Sequence, residues 1–158
     1  MMVSKIGKTA QVRTGTSSFS ERDWVGPFYP KGTKPADYLT TFAQNFNTVE
    51  IDATYYAIPA RTTVEGWAAR TPDDFLISAK FPRAIVRGGS GPRPEPKVIL
   101  EPETTYPIRD RFLNLMVGLG DKLGPLVLQS PYFAKNVFST PTTIIPGMDP
   151  KPPASWKG

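Results

Sequence analysis

The chain contains no histidine and no cysteine. Any chemistry it performs therefore falls to Asp, Glu, Lys, Arg, Tyr, hydroxyls or backbone groups. A Ser-His-Asp triad, a thiolate nucleophile, a disulfide and Cys-ligated zinc are excluded. The residues best spaced for chemistry lie in Asn47 to Pro59, NTVEIDATYYAIP. There Val49, Ile51 and Ala53 alternate with Glu50, Asp52 and Thr54. A strand sends alternate side chains to opposite faces, so one face is apolar and the other carries two carboxylates and a hydroxyl. Such a strand packs its apolar face under helices and turns its acids toward a site, or else it is a solvated edge strand with surface acids. The run FLISAKF, Phe75 to Phe81, reads as another strand. It points Lys80 the same way as Glu50 and Asp52 if Leu76, Ser78 and Lys80 share the inward face.

On that reading Glu50, Asp52 and Lys80 share one polar face. The plain alternative is an ion-pair network filling the floor of the sheet. No metal is assigned. A cation held here would be a hard one such as Mg²⁺ or Mn²⁺, bound through carboxylates.

The elements that must position these residues follow from periodicity. Val12 to Ser18 reads as a short first strand, with Gly15 allowing a ligand close to the backbone. Phe19 to Lys34 is a loop with Phe19, Trp24, Phe28 and Tyr29, which suits a lid, a stacking surface or a plug over a small core. Pro35 opens a helix whose Tyr38, Leu39, Phe42 and Phe46 form one apolar face, with Thr33 as the expected cap. The strand Thr48 to Tyr55 comes next, then a helix over 62–70 and the strand Phe75 to Phe81. Residues 82–107 are rich in Pro and Gly and read as a long loop. A helix is expected over 108–123 and a fourth strand over 125–130. The tail 139–158 has five prolines in 20 residues and no period, which predicts loose structure. Strands alternating with helices mean a parallel sheet with right-handed crossovers.

Charge is unevenly spread within a net +5. Residues 35–79 hold six acids against two arginines, whereas 80–97 hold Lys80, Arg83, Arg87, Arg93 and Lys97 against Glu95. A basic segment beside an acidic sheet recruits phosphate or other polyanions, or is simply solvated. In the first case a polyanion binds near Arg83, Arg87 and the Trp24 loop, and salt weakens it. The N-terminus has no apolar run of a signal peptide, and no stretch approaches the about 20 apolar residues of a membrane span. The expectation is a soluble cytoplasmic protein with no membrane partner.

The blocks GTSSF, DWVGPFYPKGT, YLTTFAQNFNTVEIDATYYAIPARTTVEGWAARTP, FLISAKFPRAI and LGDKLGPLVLQSPYF resemble the YecE-like family, also called the domain of unknown function 72 family. The likeness runs from Val12 to Phe138. It implies an α/β, TIM-barrel-like (β/α) fold without an established activity. A closed eight-stranded barrel takes about 250 residues. Here about four parallel strands and three helices match, and the family's later strands are absent. Val86-Arg87 stand where the family often has a histidine. The resemblance implies a truncated barrel domain over 12–138, after an extension over 1–11. A frameshift or early stop would explain the Pro-rich tail, and open sheet edges would favour a homo-oligomer.

In such barrels ligands bind at the C-terminal ends of the strands. The resemblance then selects Thr16, Ser17, Trp24 and Tyr29 after the first strand, and Tyr55 beside Glu50 and Asp52. It adds Arg83 beside Lys80, and Gln129 on the fourth strand. The catalytic set the resemblance implies is Glu50, Asp52 and Lys80, with a carboxylate as general base or metal ligand and Lys80 stabilising developing negative charge. Three functions fit. The first is an uncharacterised barrel-type enzyme acting on a phosphorylated, sugar or nucleic-acid ligand. The second is a non-enzymatic polyanion or nucleic-acid binding module. The third is an inactive remnant.

Overall fold

A computed structural model describes residues 11–88, 91, 95 and 98–132. Three stretches of alternating or continuous apolar sequence pair as parallel strands: β1, Thr48–Ile51, β2, Leu76–Lys80, and β3, Leu123–Val127. β2 lies between the other two. Thr48 stands opposite Leu76 and Ile51 opposite Ala79 on one side, and Ile77 opposite Leu123 on the other. A short helix α1, Tyr38–Phe42, precedes β1; the crossovers come from α2, Arg61–Ala69, between β1 and β2, and from α3, Arg83–Val86, and α4, Pro102–Met116, between β2 and β3.

The alternation in β1 and β2 sorts the two faces as expected for most residues. Val49, Ile51, Ile77 and Ala79 are buried in the core with Leu39, Phe42, Val64, Trp67, Phe112 and Met116. Thr48, Glu50, Ser78 and Lys80 are half-buried on the other face. Ala53 departs from the expectation: it is exposed, and Thr54 is buried instead. The strand stops at Ile51, and Asp52–Tyr55 form a 3₁₀ turn. Once the chain turns, period two no longer assigns faces.

The described residues form three strands, not four. Val12 to Ser18 runs beside β1 without becoming a regular strand. The Thr14 carbonyl accepts from the Asn47 N–H at 3.3 Å, and the Thr16 carbonyl accepts from the Glu50 N–H at 3.0 Å. Thr16 Oγ1 turns back onto the Ser18 carbonyl at 2.5 Å, which ends the extended run. Gly15 serves the fold here: an added Cβ would run into the Thr48 carbonyl oxygen. Its missing side chain admits β1, not a ligand.

β3 begins two residues earlier than expected and carries a bulge. Between the pairs Ile77–Leu123 and Ala79–Leu126, β2 spends Ser78 while β3 spends Gly124 and Pro125. Pro125 has no N–H to give to a ladder, so a bulge lets pairing skip it. A Cβ on Gly124 would crowd Ser78 Oγ at 2.9 Å. Leu128 and Gln129 lie past the strand end.

The stretch expected as a loop over 82–107 holds α3 and the start of α4. Glu101 is the signal that Pro107 obscured: its side chain accepts from the Thr104 N–H at 2.8 Å, and Pro102 takes the first helical position. Those bonds hold the Glu101 carboxyl below the usual glutamate range. α4 ends at Met116, and Val117–Lys122 continue as 3₁₀ with Gly120 at φ 57. Thr33 does not cap a helix; its hydroxyl closes a turn onto the Pro30 carbonyl at 2.7 Å. The expected tail 139–158 lies outside the described residues.

The aromatic loop is a plug. Tyr29 has no exposed surface and stacks on Tyr38 at 4.5 Å with 4° between the planes. Phe28 meets Trp24, Phe42 and Phe46 at 5.9, 6.2 and 5.7 Å. The Tyr29 hydroxyl donates to the Phe19 carbonyl at 2.5 Å.

Two outcomes follow from this packing. Burial, helped by neighbouring Tyr38, pushes the Tyr29 hydroxyl from 10.0 up to about 12. A group raised in the folded state stabilises fully below its unfolded pKa, and that contribution drains away as pH climbs through the folded one. The window is therefore about pH 10 to 12. Urea denaturation of Tyr29→Phe should show about 1 kcal/mol lost at pH 7. The variant should also lose less between pH 9 and 11 than the wild type; equal pH slopes would contradict the buried tyrosine. Gly15→Ala should cost about 3 kcal/mol through overpacking, and a loss under about 0.5 kcal/mol, the usual scale of surface changes, would remove the segment from its place on β1.

Candidate functional site

The C-terminal ends of β1 and β2 are joined by one side chain. Thr54 Oγ1 lies 2.8 Å from the Ile51 carbonyl and 2.8 Å from the Lys80 carbonyl, and it accepts the Lys80 N–H at 3.0 Å. Its residue is 1% exposed. One hydroxyl thus ties the turn after β1 to the end of β2, satisfying backbone groups that a strand ending would otherwise leave open.

Beside this joint, Lys80 Nζ stands 3.3 Å from Glu50 Oε1, with side chains 19% and 27% exposed. The pair sits on the face away from the core, as the alternation requires. Glu50 and Asp52 line a hollow of about 90 Å³ with Ser18, Ser20 and Trp67. Ser18 Oγ donates to Glu21 Oε1 at 3.3 Å and accepts the Ser20 N–H at 3.3 Å. Among the described residues no three Asp, Glu, His or Cys side chains converge as a metal site.

A separate cleft of about 330 Å³ opens between the turn after β1, the start of α3 and one side of α4. Tyr55, Tyr56, Ile58, Pro82, Arg83, Ile108 and Arg111 line it. Tyr55 meets Tyr56 edge-on at 5.3 Å. The Arg83 guanidinium carbon lies 5.8 Å from the centre of the Tyr56 ring.

The expected site residues therefore divide. Glu50, Asp52 and Lys80 are neighbours at one end of the sheet, and Tyr55 and Arg83 share the cleft. Tyr29 is core, with no surface for a ligand. Trp24 is half-buried in the plug and lines an apolar hollow of about 230 Å³ with Thr16, Phe28 and Phe46. Ser17 is exposed, and Gln129 is exposed beyond the end of β3. Arg93 and Lys97 lie outside the described residues. Sequence periodicity passes over Tyr56 and Arg111, because both occupy exposed positions that belong to no apolar stripe.

Two other cations have structural duties. Lys122 Nζ donates to the Ala68 and Thr71 carbonyls at 2.7 and 2.6 Å, closing the C-terminal end of α2. Arg13 donates to the Asn47 carbonyl at 3.3 Å and to the Asp74 carbonyl, pinning the first segment to the opposite end of the sheet.

A parallel sheet with helical crossovers, polar on one face at the C-terminal ends of its strands, is part of a TIM-barrel-like α/β fold. The chain belongs to the family described as protein of unknown function DUF72, whose pattern matches residues 13–139. The DUF72 protein of Enterococcus faecalis V583 superposes with a TM-score of 0.57 at 27% identity, covering 77% of this chain and 40% of that one. The DUF72 protein of Thermotoga maritima MSB8 gives 0.57 at 26% identity, over 78% and 46%. The UPF0759 protein YecE of Escherichia coli K12 is 43% identical over 47 residues, 30% of this chain and 17% of that protein. The chain thus spans under half the length of these relatives. Among the described residues no helix is long and apolar enough to cross a membrane.

The joint makes its own forecast. Thr54→Val keeps the shape but leaves the Lys80 N–H without this acceptor and the Ile51 and Lys80 carbonyls without the one hydroxyl proton they share, which should cost about 1–3 kcal/mol. Thr54→Ser should recover most of it. Amide exchange at Lys80 should quicken in the valine variant alone, and unchanged exchange would remove the hydroxyl from this role.

Proposed function

We propose that the C-terminal ends of β1 and β2 bind a hydroxyl-bearing, sugar-type ligand, free or phosphorylated, and that Glu50 and Lys80 handle its polar groups. The observation that carries this is the half-buried Glu50–Lys80 pair at 3.3 Å, beside a hollow lined by Asp52, Ser18 and Ser20. Carboxylates accept hydrogen bonds from hydroxyls, while an ammonium donates them and faces negative charge. In a chain without histidine or cysteine these are also the groups left for proton transfer. Glu50 then takes or orients a hydroxyl proton, and Lys80 balances the charge that develops on oxygen. A hollow of about 90 Å³ admits a hydroxymethyl or phosphoryl group, and the rest of the ligand lies along the polar face.

The test separates a working pair from a merely structural one. Ribose and ribose 5-phosphate are titrated into the wild type, Glu50→Gln, Lys80→Met and the charge-swapped Glu50→Lys/Lys80→Glu protein, followed by calorimetry and thermal melting. Loss of a charged hydrogen-bond partner should weaken binding at least about tenfold in Glu50→Gln. The swapped pair should regain stability without regaining binding. Wild-type protein that ignores both sugars at millimolar concentration would leave the pair as a structural strut. Conversion of the bound ligand that vanishes in Glu50→Gln marks an enzyme, and binding without conversion marks a binding module.

A further inference from the structure

The cleft lined by Arg83 and Arg111 has no part in the preceding chemistry and shares no lining residue with the hollow beside Glu50. Its lining carries two arginines and no carboxylate. Around them stand two tyrosines and the apolar side chains of Ile58, Pro82 and Ile108. Guanidinium groups match phosphate oxygens in a planar, two-pronged geometry that lysine lacks. Tyrosine faces accept flat rings, and an edge-on pair offers one face while bracing the other. Tyr56 also holds the Arg83 guanidinium beside its ring. The volume of about 330 Å³ falls at the small end of the about 300–1,000 Å³ usual for small-molecule sites. It suits one phosphorylated ring system and is too short for a strand of several nucleotides.

We propose that this cleft binds a nucleoside monophosphate, with Arg83 and Arg111 on the phosphate and Tyr55 or Tyr56 against the base. The arginines come from different elements, α3 and α4, so the ligand bridges them. Arg111 is the residue whose role is wholly new, since it lies on an exposed turn of α4 that packing does not explain.

AMP, adenosine, inorganic phosphate and a ten-nucleotide oligothymidylate are titrated into the full chain by calorimetry at low salt. AMP should bind at least about tenfold more tightly than adenosine or phosphate alone, because each supplies one half of the recognition. Arg111→Gln, at an exposed position, should weaken AMP roughly tenfold or more, with Arg111→Lys recovering only part. Tyr56→Leu should weaken AMP about tenfold while leaving phosphate binding unchanged. Arg22→Gln, far along the chain on an exposed turn, serves as the charge control and should bind AMP as the wild type does. Equal binding of AMP and phosphate, or loss of AMP equally in Arg22→Gln, would reduce the cleft to diffuse positive charge. Tight oligothymidylate binding without AMP binding would make it a nucleic-acid surface and overturn the proposal. No AMP binding at millimolar concentration would overturn it outright. The wild-type comparison of AMP, adenosine and phosphate decides the matter even if a variant fails to fold.

Discussion

The hydroxyl of Thr54 is the joint on which the C-terminal end of the sheet depends. Two parallel strands end side by side at Ile51 and Lys80, and parallel strands share no turn that would hold their ends together. Thr54 supplies that tie by meeting both carbonyls and the Lys80 N–H. It also bends the chain into the 3₁₀ turn Asp52–Tyr55. From that bend Asp52 is left at one hollow, and Tyr55 and Tyr56 at another. A buried hydroxyl that both donates and accepts is worth more than a single bond suggests, because each partner would be costly to leave open.

Below the joint, stability comes from an aromatic-rich core rather than from charge. Tyr29, Tyr38, Phe42 and Phe75 are fully or almost fully buried, and they tie the plug, α1 and the sheet together. The fixed positions of Glu50 and Lys80 are a by-product of that packing. Val49, Ile51, Ile77 and Ala79 must face the helices, so their neighbours must face away. The surface-like Lys122–Asp73 contact at 3.8 Å contributes little, since Asp73 is fully exposed. The same lysine matters through the two carbonyls it satisfies, Ala68 in the last turn of α2 and Thr71 just beyond it.

Glycine and proline explain where the sheet departs from regularity. Gly15 lets the first segment lie against the Thr48 carbonyl, and Gly124-Pro125 place a bulge in β3. β3 is one of the two outer strands, with no further strand beyond it among the described residues. The solved relatives, each more than twice this chain's aligned span, carry more chain than this unit.

Alternation by itself determined the faces of β1 and β2, and so the meeting of Glu50 with Lys80, because side chains along a strand have no other period. Helical spacing likewise placed Leu39, Phe42 and Phe112 in the core, and strands alternating with helices implied parallel pairing. The absence of histidine and cysteine restricted the chemistry before any fold was known. Tertiary structure alone decided the rest. It buried Tyr29 and removed it from the site, since an aromatic loop reads the same whether it covers a ligand or a core. It gave Gly15 to β1, put the start of α4 ahead of Pro107, and turned the chain at Asp52 through a hydroxyl bond to a strand 26 residues away. It also brought Arg111 to Arg83 and Tyr56. Contacts between separate elements leave no period in a sequence, and only the folded chain shows which exposed residues share one cleft.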